Sequence, residues 1–182
     1  MAIWQFRLSL IPENILLTKF EVLPLVIPEA LAEDFPWWSD AQPHPGFERQ
    51  LDNILPERAS WSTSIRMWGQ EDGNDANVYY RDENKNEVEA ISFRLDASSI
   101  QLELVRDLCQ LARRLGCVLI TADYELLAPD ESMVLLAIHN STAKKYIDDP
   151  VSTLRSLGRP EVQQRFRNLI GDDEGNSPKR KE

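Results

Sequence analysis

Between Trp61 and Thr121 the apolar residues change their spacing twice, and that change limits the folds open to the chain. Ile91, Phe93 and Leu95 alternate with Ser92 and Arg94, the period of a strand buried on one face. Trp61 to Trp68 and Val78 to Arg81 read as two earlier strands. The first pair is joined across Gly69 to Asn74, which includes Asp72-Gly73, and the second across the polar turn Asp82 to Asn86. Short turns between sequential strands predict an antiparallel meander. From Ser98 the spacing becomes helical: Ile100, Leu104, Leu108, Leu111 and Leu115 share one face, and Gly116 is placed to end the helix. Ser98 with Gln101 has the form of a capping box. Residues 117–121 (CVLIT) are nearly all apolar, as in a strand covered on both faces. Residues 88–121 thus form a strand, helix, strand unit. If its strands lie parallel in one sheet, the crossover is expected to be right-handed.

The flanks extend this pattern. Trp4, Phe6, Leu8 and Leu10 alternate with Gln5, Arg7 and Ser9, which predicts a strand ended by Pro12. Residues 13–23 are apolar without a clear period; a short strand from Thr18 to Leu23 is the expectation. Pro24, Pro28, Pro36, Pro43 and Pro45 make 24–45 a long connection. A helix face over Phe47, Leu51, Ile54 and Leu55 stops at Pro56. The last third reads as helices: one from Asp130 to about Asn140, a stretch over 141–147 that continues it or restarts after a bend, one opened by Asp149-Pro150 through Leu157, and a weaker one over 161–170. The expectation is an α+β domain over residues 1–170. It has a mostly antiparallel sheet with one β-α-β unit, helices packed on the sheet, and a polar, disordered tail over 171–182.

Composition narrows function by exclusion. The chain of 182 residues carries a net charge of −10, which repels a phosphate backbone or an anionic membrane surface. A basic protein partner suits it, and nucleic acid does not. No apolar run has the length of a membrane span, and the start Met1-Ala2-Ile3-Trp4 lacks the basic opening of a signal peptide, so the expected location is cytoplasmic. Cys109 and Cys117 have no metal or redox spacing and read as buried thiols. His44 and His139 stand in unrelated contexts, which argues against a metal site. Asp82, Asn84 and Asn86 begin like a calcium loop, but Glu87 and Phe93 occupy its two diagnostic positions. No nucleophile elbow or glycine-rich phosphate loop is present, so no catalytic residue and no cofactor is assigned.

Two surfaces remain for binding. Trp37 and Trp38 are adjacent in the proline-rich connection, where successive side chains point apart and cannot easily share one core. Trp68 stands beside the acidic hairpin of Glu71, Asp72 and Asp75, which could meet Arg or Lys of a partner. The runs S-W-S-x-x-I-R-M-W-G-x-E-D-G-N-D (60–75), V-E-A-I-S-F-R-L-D (88–96), L-A-R-R-L-G-C-V-L (111–119) and A-K-K-Y-I-D-D-P (143–150) resemble a small family of uncharacterised bacterial proteins, similar to immunity-type partners of secreted toxins. The resemblance covers roughly 60–157 and implies a non-enzymatic, toxin-occluding role without assigning any site residue. The alternatives are a small-ligand site or enzyme centre beneath the Trp37-Trp38 loop, and a structural or adaptor subunit.

Overall fold

The computed structural model describes residues 3–157 and has the α+β architecture expected. The opening alternation becomes β1 (Gln5–Pro12). Residues 13–19 form a helix, α1 (Glu13–Lys19), where a strand was expected from Thr18. Pro12 leads into it with φ −59°, and Glu13 and Lys19 sit at the ends that favour their charges. The long connection holds one short helix, α2 (Glu29–Asp34), and leads to α3 (Glu48–Ile54).

The meander follows as β2 (Glu57–Arg58), β3 (Ile65–Gly69), β4 (Asp75–Tyr80) and β5 (Val88–Asp96). β2 was not expected, and Trp61 lies before β3 and outside any strand. Gly69 is required at the β3–β4 turn. Its φ is +79°, and a Cβ there would meet the Asn74 carbonyl oxygen.

Helix α4 (Leu102–Arg114) starts later than the Ser98 reading predicts. Gln101 stands at its N-cap without a side-chain bond, and Ser98 Oγ donates instead to Asp96 Oδ1 at 2.6 Å. Ile100 therefore precedes the helix and is 37% exposed. Gly116 ends the helix with φ +64°. Then come β6 (Cys117–Thr121), β7 (Leu126–Leu127), α5 (Glu131–Asn140), α6 (Thr142–Asp148) and α7 (Pro150–Leu157). The expected 161–170 helix and 171–182 tail lie outside the described residues.

The seven strands form one sheet in the order β2-β3-β4-β5-β1-β6-β7, with every neighbouring pair antiparallel. β5 and β6 flank β1 and both run against it, so the β-α-β unit spans one intervening strand. Register divides the side chains into two faces. Phe6, Leu8, Leu10, Trp68, Ala76, Val78, Ile91, Phe93, Leu95 and Leu119 are all buried on the apolar face. Leu104, Leu108 and Leu111 of α4 join them in one core cluster. At roughly 25 cal/mol per Å² of apolar surface, this contiguous core is the main source of stability. The other face carries a polar stripe: Arg7 and Ser9 from β1, Asn77 and Tyr79 from β4, Ser92 and Arg94 from β5.

Candidate functional site

The roof of the site comes from the proline-rich connection. Trp37 and Trp38 are 6% and 2% exposed, so the loop packs inward and neither ring is a surface anchor. Trp37 Nε1 donates to the Ala32 carbonyl at 3.1 Å, and its ring meets Phe35 edge-on at 4.6 Å between centroids. A turn closed by Ser39 N donating to the Pro36 carbonyl at 3.1 Å carries both rings, and both join the core cluster. Three side chains hold this segment over the sheet. Gln42 clamps the start of β5, accepting from Val88 N at 2.7 Å and donating to Val88 O at 3.0 Å. Arg81 Nη2 donates to Ser39 Oγ at 2.8 Å. Tyr124 donates its hydroxyl to Glu33 at 2.8 Å and is 3.2 Å from Glu29, tying α2 to the β6–β7 turn. Burial and those carboxylates push the Tyr124 hydroxyl well above its ordinary value.

Beneath the roof lies a cleft of about 600 Å³. Its floor is Arg7, Ser9, Tyr79 and Ala90, and Phe35 to Ser39 form one wall. A second cavity of about 230 Å³ adjoins it and shares Arg7 and Tyr79. Asn77, Ser92, Arg94 and Trp61 line the smaller one. Together they make a trough along the polar stripe. No α4 residue lines either cavity.

The acidic hairpin is only partly a surface. Glu71 and Asp72 are exposed, but Asp75 and Trp68 are fully buried, so the sequence expectation for those two is corrected. Trp68 faces the apolar side, donates Nε1 to Asp52 Oδ1 of α3 at 2.9 Å, and lies 4.9 Å from the Arg66 guanidinium. Asp75 turns to the polar face. It accepts from Arg94 Nε at 2.9 Å and from Arg94 Nη2, and Arg58 Nη2 is 3.7 Å away. It is an internal counter-ion, buried because two guanidinium groups satisfy its charge. The tip is fastened to β1, with Gln5 Nε2 donating to the Glu71 and Gly73 carbonyls at 2.8 Å each.

Sequence reasoning missed Arg7, Tyr79, Asn77 and Trp61. The signal for the first was its polar position in the β1 alternation, and Trp61, 79% exposed, was absorbed into a strand. Cys109 and Cys117 are buried and free, as expected, with burial raising their thiols to about 11 and about 12. Among the described residues no helix is long and apolar enough to cross a membrane. Comparison with family models, with curated proteins and with solved structures gives no match.

Proposed function

We propose that the chain is a non-enzymatic binding protein that takes an extended segment of a partner protein into the trough on the polar face of its sheet. The observation that supports this is the contiguity of the two cavities through Arg7 and Tyr79. An elongated trough crossing β1, β4 and β5 suits a chain laid across it more than a compact molecule. Its mixed lining of aromatic rings, hydroxyls and guanidinium groups suits the side chains of a peptide. The resemblance to immunity-type proteins points the same way, and on that reading the partner is a toxin whose working surface is occluded. The exposed carboxylate of Glu71 borders the trough, Asp72 follows it at the hairpin tip, and with the net charge of −10 they would steer a partner that is basic overall.

The test is site-specific photocrosslinking in the native host. A crosslinker at Ser39 or Ala90, both in the cleft lining, should capture the same protein. One at Glu103, exposed on α4, should not. The same product from Glu103, or no protein product from Ser39 and Ala90, overturns the reading.

A second reading has its own support. The cleft beneath Phe35–Ser39, at about 600 Å³, lies within the roughly 300–1,000 Å³ of small-molecule sites. A low-mass adduct at Ser39 or Ala90 in the same experiment would favour a small ligand.

A further inference from the structure

The smaller cavity contains a buried acceptor with nothing to accept. Asn77 is 4% exposed and lines that cavity. Its Nδ2 donates to Asp75 Oδ1 at 3.3 Å, but its Oδ1 finds no hydrogen-bond partner among the described residues. Buried acceptors are rarely left unpaired, so this oxygen is available to an N–H that enters the cavity.

The cavity is also cationic, although the chain as a whole is acidic. Arg58 and Arg94 share Asp75, and Arg58 also reaches Glu71 at 3.9 Å. The Arg7 side chain makes no hydrogen bond or ion pair among the described residues. Of the charged residues that line the cavity, Arg7 and Arg94 stand against Glu71; Arg94 is held by Asp75, so the free positive charge is at Arg7. Glu33, Asp34 and Glu89 line the adjoining cleft, so the positive charge of Arg7 acts over contact distances only. Trp61 supplies an aromatic wall.

We infer that the smaller cavity is a recognition pocket for an acidic side chain of the bound segment. Its carboxylate is held by the Arg7 guanidinium, and a nearby amide N–H of the same segment is donated to Asn77 Oδ1. A free carboxylate without an amide would use only half of this arrangement, so the occupant is a peptide glutamate or aspartate. The assignment rests on the extended-segment reading above and specifies one position within it.

The experiment follows the Trp61 indole N–H resonance of the ¹⁵N-labelled full chain, assigned with Trp61→Phe. The probes are the blocked tripeptides Ac-Ala-Glu-Ala-NH₂ and Ac-Ala-Gln-Ala-NH₂, and glutarate. The glutamate peptide should move the resonance and bind about two- to fivefold more tightly than the glutamine peptide, the ratio expected for an exposed ion pair. Glutarate should bind more weakly than the glutamate peptide. Arg7→Gln should erase the preference for glutamate, and Arg7→Lys, which keeps the charge without the fork, should restore part of it. Arg7 is exposed, so neither change disturbs the core. Equal binding of the two peptides, no shift with any probe, an unchanged preference in Arg7→Gln, or glutarate binding as tightly as the glutamate peptide overturns the pocket. A partner crosslinked from Ser39 and Ala90, with no glutamate preference here, overturns the pocket alone and leaves the trough standing.

Discussion

Asp75→Asn separates an internal counter-ion from a docking residue. The substitution keeps the shape of the side chain and removes its charge. Asp75 is fully buried, and the side chains of Arg94 and Arg58 around it are 19% and 25% exposed. Removing one partner of a fully buried pair costs about 3–5 kcal/mol, because the remaining charge is left uncompensated. Both side chains keep some exposure, so we expect the lower end, about 3 kcal/mol. Glu71→Gln is the control. Glu71 is 74% exposed and lies 3.9 Å from the same Arg58, so its loss should cost about 0.5 kcal/mol or less. With a urea slope of about 2 kcal/mol/M, the midpoint should fall by about 1.5 M for Asp75→Asn and by about 0.2 M for Glu71→Gln. A cycle with Arg94→Gln should return a coupling of about 1–3 kcal/mol. If Asp75→Asn and Glu71→Gln shift the midpoint equally little, Asp75 behaves as a surface acid and the internal counter-ion argument is wrong.

Leu108→Ala, in the centre of the buried α4 face, should cost about 2–5 kcal/mol in the same urea assay, whereas a loss under about 1 kcal/mol would mean α4 does not seal the sheet. Trp38→Ala should cost about 3–5 kcal/mol; a near-neutral stability change would reopen the surface-anchor reading that its 2% exposure closes. The two thiols make stability depend on pH at the alkaline end. They ionise near 9 when unfolded but are held at about 11 for Cys109 and about 12 for Cys117 by burial. The folded state thus keeps protons that the unfolded state loses. Stability should fall as pH rises above about 9, and replacing both cysteines by alanine should flatten that fall; an unchanged slope refutes it. Neutralising Glu71 and Asp72 together should slow association with a captured partner and reduce its salt dependence, with little change in dissociation; an unaltered on-rate would remove the hairpin tip from the encounter.

Elements whose periods are carried by single stretches of chain were legible before any tertiary contact. Phe6, Leu8 and Leu10, then Ile91, Phe93 and Leu95, alternate because one face of each strand is dry, and α4 announces its buried stripe through Leu104, Leu108 and Leu111. The same alternation marked Arg7, Ser9, Ser92 and Arg94 as the opposite side. What it left open was whether that side meets solvent, a roof or a ligand. Only strand order decides this. β1 is inserted between β5 and β6, so residues about 85 apart in sequence, Arg7 opposite Arg94 and Ser9 opposite Ser92, become one stripe. The sites read from local clusters failed for a related reason. Trp68 and Asp75 look like one acidic-aromatic hairpin, but Trp68 is paired with Ala76 on the apolar face, and Asp75 turns to the polar face to meet Arg94. The tryptophans of the proline-rich connection became a roof through distant bonds from Gln42, Arg81 and Tyr124. Local spacing records which side of its own strand a residue occupies; which residues share a cavity depends on contacts between strands far apart in the chain, and those exist only once the sheet is assembled.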